Sequence, residues 1–356
     1  MQILEIIGPA AFEHVLLASF IGSALLAVVL IVLLMPLLRR YALARPNARS
    51  SHRTPTPQGG GIAVVAAALL PVAVILLVAG PDFKFAWGGG HAFRFFWLVA
   101  GAAVGMAVLG AVDDIRPLPV LPRLLLQALA VSAVVMTGRT VLHLPDWLEG
   151  PLLVLAGLWF VNLTNFMDGL DWITVAEMVP ITATIALLGL VMAVPDPVTL
   201  VAACLCGGLL GFALFNKPVA RLFLGDVGSL PVGLLVGWML LELAGTGALT
   251  AAILLPLYHL ADATITLVRR LARGERVWEA HRSHFYQQAT TNGFSALAVS
   301  GHVFGLNLIL AALAGATLAW PTAAVQGAAL IAGGVAVGVL LWRFAHPVPR
   351  RREITG

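Results

Sequence analysis

Asn162, Asn165, Asp168 and Asp171 recur at every third position of "VNLTNFMDGLDWI", inside a run that is otherwise mostly Leu, Val, Ala and Phe. On a helix, that spacing puts amide and carboxylate oxygens near one face. Together they make a hard-oxygen surface of the kind Mg²⁺ accepts. Gly169 allows the backbone an irregular path between the two aspartates. Ionisable groups at membrane depth are costly and point to function by default.

Four further polar islands accompany this one. Asp113 and Asp114 are adjacent, so on a helix they diverge by about 100° and need not share a ligand. Close carboxylates repel unless a cation sits nearby, and a polar helix stop paired with Arg116 is the plainer reading. Asp226 lies in "FLGDVGSLPVG" between Gly225 and Gly228. A carboxylate in a Gly-rich turn that opens a helix suits a metal and a phosphate, because the helix start offers free N–H groups. An N-cap at Asp226 or Ser229 fits the same residues. His281, Arg282 and His284 share "AHRSHFYQQ"; with no Cys or third His close by, zinc is poorly served. Arg and His suit diphosphate oxygens better, with anionic lipid headgroups as the other fit. "HRTPTPQGGG", which contains Arg53, combines basic residues, stiff prolines and glycines that let backbone approach a ligand. His259 and Asp262 follow one turn apart, where Asp262 reads as a partner to a basic residue rather than a group that meets substrate.

These islands must be positioned by apolar helices. The chain of 356 residues is 60% hydrophobic and 11% charged, with mean hydropathy +0.96. Soluble domains carry about 25% charged residues, so an all-α integral membrane protein is expected. The apolar runs are long rather than alternating, which favours helices over a barrel. Eleven spans are expected, near 15–38, 61–80, 95–112, 123–142, 151–165, 173–194, 198–215, 229–245, 248–268, 297–319 and 322–342. The start has no basic residue before its apolar run, so the first helix is expected to stay. Alternating the spans places 18 of the 21 Lys and Arg on one side. The positive-inside rule makes that side cytoplasmic, the N-terminus periplasmic and the C-terminus cytoplasmic. Every polar island then falls on cytoplasmic segments 39–60, 113–122, 162–172, 216–229 and 269–296 of a single polytopic domain. Cys204 and Cys206, two apart in one apolar run, read as packing residues. The net charge of +4 reflects topology first and an anionic ligand second; nothing asks for nucleic acid.

The order "PTPQGGG", "DDIR", "NFMDGLD", "LFLGDVGS" and then a His-containing loop resembles the polyprenyl-phosphate N-acetylhexosamine-1-phosphate transferases, glycosyltransferase family 4. These include enzymes that start O-antigen and teichoic-acid assembly and the phospho-MurNAc-pentapeptide translocase. The likeness runs from about residue 45 to 290. It implies Mg²⁺-dependent transfer, with Mn²⁺ able to substitute, of a sugar 1-phosphate from a UDP-N-acetylhexosamine to undecaprenyl phosphate, with release of UMP. By motif position it implies Asp226 as metal ligand with Asn165 a second, Asp113 and Asp114 near the lipid phosphate, and Asp168 and Asp171 in catalysis and nucleotide binding. Phe223 matches an aromatic that stacks on uracil, and Asn216 a nucleoside-binding amide. Asn162, Arg53, His281, Arg282 and His284 complete the expected substrate contacts. Direct attack and a two-step route through an Asp nucleophile both remain open, as does a homodimer.

Two departures stand out. Trp172 takes the place of the second Gly in the family's DG-x-DG, and "HRSHFYQ" replaces a run of His. The loop is similar to the subgroup handling sugars such as N-acetyl-fucosamine or quinovosamine, beside the usual GlcNAc. The expected setting is a bacterial inner membrane and a lipid-linked surface glycan such as the O-antigen of lipopolysaccharide. A lipid-linked substrate transporter or flippase is the alternative; it would spread its charges toward the bilayer midplane.

Overall fold

The computed structural model describes residues 9–44, 55–79, 89–136, 138, 140–191, 194, 196–276 and 281–348. They fold as an all-α bundle whose only strands, among the described residues, are β1 (Leu43–Ala44) and β2 (Thr56–Pro57), paired antiparallel. The helices are α1 (Pro9–Tyr41), α2 (Gly61–Ala79), α3 (Gly89–Ile115), α4 (Val120–Val135), α5 (Asp146–Met167), α6 (Ile173–Leu190) and α7 (Asp196–Asn216). They continue as α8 (Asp226–Leu243), α9 (Leu249–Leu254), α10 (Leu257–Ala272), α11 (Phe285–Thr291), α12 (Ala296–Ala319) and α13 (Ala323–Ala345).

Nine segments of the described residues are long and apolar enough to cross a membrane. In lipid every backbone polar group must be satisfied within its own segment, and a helix does this. The protein is therefore a multi-pass, all-α integral membrane protein. Two of the eleven expected spans differ. The stretch expected at 123–142 is α4, only 16 residues long, about 24 Å at 1.5 Å per residue. The stretch expected at 248–268 is cut in two. A π-helical turn at Ala244–Ala248 joins α8 to α9, with Gly247 at φ +90°. Pro256, which has no N–H to donate, then separates α9 from α10. Helix α10 is strongly amphipathic, unlike its neighbours.

Helices α6, α7 and α8 form the centre. In α7, 83% of the apolar window is buried, against 28% in α1 and in α13. Helix α7 packs on α1, α2 and α6, and α8 packs on α3 and α5. Cys204 and Cys206 are buried and free. Their sulfurs face different helices, toward Ser19 O of α1 and Val179 O of α6, as a two-residue offset on α7 requires.

Close crossings at glycine bring the polar islands together. A Cβ at Gly61, opening α2, would lie 2.1 Å from Cα of Gly228 in α8. One at Gly110 of α3 would lie 2.2 Å from the carbonyl oxygen of Asp226. Gly110→Ala therefore pushes α3 off the start of α8. We expect it to lower the thermal midpoint by several degrees, consistent with an overpacking cost of about 1–3 kcal/mol, and to weaken activity. Gly105→Ala on the same helix, with nothing within 4 Å, should change neither. Equal midpoints for the two variants would contradict this packing.

Candidate active site

The site is assembled around the first turn of α8. The carboxylate of Asp114, at the end of α3, accepts the N–H of Asp226 and the N–H of Val227, each at 3.1 Å. It thereby caps a helix whose own N-cap residue, Gly225, has no side chain to do so. Negative charge is favoured at that end of a helix. Gly225 sits at φ +76°, and a Cβ there would come within 2.8 Å of Asp114 Oδ2; both facts require glycine. The expected cap from Asp226 or Ser229 thus comes instead from another helix.

Asp113 is engaged differently. It accepts the N–H of Leu118 at 2.6 Å and Arg123 Nη1 at 2.9 Å. Its side chain also lies at hydrogen-bonding range of Asp226. Asn165 of α5 donates its amide to Asp226 Oδ1 at 2.8 Å and to Ser229 Oγ at 2.9 Å, leaving its carbonyl oxygen for another ligand. Asp168 caps the end of α5 and accepts the hydroxyl of Thr174. Burial pushes its carboxyl up to about 8, with Thr174 opposing and the nearby Asp226 and Asp114 adding to the rise.

The PTPQGGG segment meets protein rather than open space. Phe223 donates its N–H to Pro57 O, and Gly60 and Gly61 donate theirs to Phe223 O and Leu224 O. Gln58 donates to the carbonyl of Asp114 at 3.3 Å. The His segment docks beside Asp168: Tyr286 hydroxyl donates to Phe166 O at 3.1 Å, and a Cβ at Gly169 would strike that hydroxyl at 2.2 Å. His281 Nδ1 lies 2.8 Å from Ser283 Oγ, Arg282 is exposed, and His284 is buried beneath.

The structure therefore brings together Asp113, Asp114, Asn165, Asp168 and Asp226, with the His segment alongside. The other expected residues have these surroundings. Asn162 donates to Gln127 Oε1 of α4 at 2.8 Å and is buried. Asp171 accepts the N–H of Ala220 at 3.0 Å. Asn216 accepts the N–H of Trp172 and donates to Leu222 O. Phe223 is half-buried and held through its backbone. Arg53 lies outside the described residues. Sequence reasoning passed over Arg123, assigned to topology alone, and Thr174, Gln58 and Tyr286. For Arg123 the available signal was its spacing, one loop beyond the Asp pair.

Trp172, at the position of the family's second Gly, adopts φ +64°, ψ 0°. This left-handed conformation costs a non-glycine residue about 1–2 kcal/mol. The bond from its N–H to Asn216 and a 2.7 Å bond from its indole to Ala213 O offset that cost.

Among the described residues no three His, Cys, Asp or Glu side chains are grouped so as to hold a metal ion by themselves. An open set suits Mg²⁺ better, because Mg²⁺ usually keeps waters and substrate phosphates on one or two carboxylates. Asp226, the Asn165 bonded to it and the nearby Asp168 are oxygen donors of that kind. Among the described residues neither aspartate has an ion-pair partner, and Arg123 is the basic side chain that reaches the cluster.

A multi-pass helical membrane protein with carboxylates gathered at helix ends, and a basic segment beside them, defines a class of membrane transferases. The sequence model of glycosyl transferase family 4 matches residues 96–244. A phospho-N-acetylmuramoyl-pentapeptide-transferase of Synechococcus sp. (strain JA-3-3Ab) is 33% identical over 337 residues, covering 85% of this chain and 91% of that protein. A decaprenyl-phosphate N-acetylglucosaminephosphotransferase of Mycobacterium tuberculosis (strain ATCC 25618 / H37Rv) is 29% identical, covering 86% and 83%. A probable undecaprenyl-phosphate N-acetylglucosaminyl 1-phosphate transferase of Bacillus subtilis (strain 168) is 25% identical, covering 79% and 81%. The chain belongs to glycosyl transferase family 4.

The raised Asp168 carboxyl sets a pH dependence. In the unfolded chain the group titrates near its ordinary 3.8, and in the folded protein near 8. The folded state holds a proton the unfolded chain has lost. This contribution to stability is complete below about 4 and is lost as pH rises through about 8. With chelator present, the thermal midpoint should fall from pH 5 to pH 8.5, and Asp168→Asn should flatten that slope while abolishing most activity. Parallel slopes for the two proteins would contradict the assignment.

Proposed function

We propose that this protein transfers an N-acetylhexosamine 1-phosphate from a UDP-sugar to undecaprenyl phosphate and releases UMP, with Mg²⁺ as cofactor. It does so at the cytoplasmic face of a bacterial inner membrane, as the first step of a lipid-linked surface glycan such as O-antigen. The observation that carries this reading is the pair Asp168 and Asp226, the latter bonded to Asn165 and neither with an ion-pair partner among the described residues, beside Arg123 and the His segment. The names of the relatives support the same chemistry, since each transfers a phospho-sugar and two name a polyprenyl phosphate acceptor.

In this reaction an oxygen of the lipid phosphate attacks the β-phosphorus of the UDP-sugar. The bond from that phosphorus to the bridging oxygen breaks, and UMP departs with the oxygen. The product is a lipid diphosphate sugar. Phosphoryl transfer of this kind depends on positioning and charge neutralisation rather than covalent chemistry by the protein. A bound Mg²⁺ would supply charge neutralisation at the diphosphate. Asp226, Asn165 and Asp168 are the residues that would hold that ion. Asp114 fixes the α8 start, and Asp113 orients Arg123 toward the acceptor phosphate. Arg282 and the histidines approach the diphosphate from the α10–α11 segment. Asp113 is poorly placed to accept a proton, because Leu118 and Arg123 already occupy its oxygens. That leaves Asp168 the better placed group. The lipid phosphate's second pKa is near 6, as for phosphomonoesters in general, so little proton transfer is needed near neutral pH.

The test is a panel of UDP-sugars, GlcNAc and 6-deoxy-N-acetylhexosamines among them, incubated with purified protein, undecaprenyl phosphate and Mg²⁺ and scored for UMP. One sugar should release UMP and carry label into the organic phase, and added UMP should reverse the transfer. Asp226→Asn should lower kcat by about 10³-fold, in the range seen when a group stabilising developing charge is removed. Lipid movement without any UDP-sugar turnover would overturn the reading in favour of transport.

A further inference from the structure

Beyond the carboxylate cluster, the described residues concentrate buried polar contacts on one other side chain, Asp262 of α10, which is fully buried. Its Oδ1 accepts the N–H of Phe285 at 3.0 Å and the hydroxyl of Thr266 at 3.3 Å, and it faces His284 Nδ1 at 3.3 Å. Its Oδ2 accepts the N–H of Tyr286 at 3.1 Å and the hydroxyl of Tyr258 at 3.2 Å. A buried carboxylate is tolerated only when its lone pairs are filled. Here three of the five partners come from the His284–Tyr286 segment, more than twenty residues further along the chain.

Two consequences follow from that geometry. First, a carboxylate facing Nδ1 requires a proton on Nδ1. The imidazole is then locked in orientation and in tautomer, and Nε2 is the nitrogen that remains. That Nε2 is buried and has no partner among the described residues; the ring of His281 lies 4.8 Å away. Second, Asp262 fixes the backbone of Tyr286. This ring stacks on His284 at 5.8 Å and its hydroxyl reaches Phe166 O at the turn that carries Asp168. One carboxylate thus sets both the direction of an imidazole and its placement against the acidic cluster.

We propose that Asp262 is a positioning residue that fixes His284 with its Nδ1 proton on the carboxylate and, through the backbone of Tyr286, holds the His segment against the turn that carries Asp168. The effect on turnover rests on the transferase reading, and the imidazole geometry does not. Asp262 touches no substrate; it acts through His284.

Two measurements on the full-length protein in detergent decide it. In the first, histidines are labelled with ¹⁵N, and the His284 signals are assigned by their loss in His284→Gln. The wild type should show a protonated Nδ1 at His284, and Asp262→Asn should lose that state. A wild-type His284 protonated on Nε2 alone would overturn the proposal. In the second, UMP release is compared for Asp262→Asn, His284→Gln and the double variant. Each single change should lower kcat by about 10- to 100-fold, as loss of a partner that orients a functional imidazole does, with KM for the UDP-sugar within about threefold. The double variant should be no slower than His284→Gln, because residues that act as a unit are not additive. Losses that multiply would show that Asp262 does not act through His284 and would also overturn it. If the wild type releases no UMP from any UDP-sugar, the transferase reading and the kinetic comparison fall together, while the spectra still decide the imidazole geometry.

Discussion

The capping of α8 by Asp114 is the interaction on which the rest of the site depends. Three carboxylates, Asp113, Asp114 and Asp226, meet where α3 crosses α8, and Coulomb repulsion among them would drive the helices apart. Two backbone N–H groups at the positive end of α8 accept one of those charges. Arg123 accepts a second. Gly110 and Gly225 let the backbones come close enough for these bonds to form. The remaining charge, on Asp226, is left with an amide as its neighbour. The fold neutralises what it needs for its own stability and leaves the rest for a ligand.

The sequence disclosed this arrangement unevenly. Composition and run length fixed the helical membrane class, and the clusters it singled out do converge. The period-three array misled in detail. The periodicity holds only while the helix lasts, and α5 ends at Met167. Asn162 and Asn165 point to different helices, α4 and α8. Asp168 and Asp171, beyond the helix end, turn to Thr174 and Ala220. Equal spacing therefore gave four partners rather than one face. The glycines of "QGGG" were likewise expected to admit a ligand, and what approaches them is the backbone of Phe223, Leu224 and Gly228. One-dimensional spacing cannot separate close approach to a ligand from close approach to another helix, since both require the absence of a side chain.

The spans that departed from expectation are also the ones that carry polar work. Helix α10 is detached from α9 at Pro256 and presents Tyr258, His259, Asp262, Thr266 and Arg270 to the interior. A uniformly apolar helix there would satisfy the bilayer and would offer nothing to the His segment. His259 lies against the buried Glu177 of α6 at 3.0 Å, and Asn307 of α12 donates to that same carboxylate at 2.5 Å. These contacts tie α6, α10 and α12 together. Removing one partner of a buried polar contact strands the other at a cost of about 1–3 kcal/mol. Such contacts constrain which helices can neighbour one another.

On the proposed function, charge also constrains the order of events. Both substrates are anionic, and the described cluster offers four carboxylates against Arg123. An anion approaching that cluster is repelled unless positive charge arrives first or a carboxylate carries a proton. Asp168, pushed up to about 8 by burial and by its acidic neighbours, is protonated near neutral pH. A divalent ion settling on Asp226 and Asn165 would favour the charged form of Asp168, in the way an opposite charge within about 4–6 Å does. Asp168 would then carry no proton, and the charge of the ion would offset carboxylates that otherwise repel a diphosphate. The carboxyl that burial protects from ionising is then the one that becomes available to accept a proton once the substrates are in place.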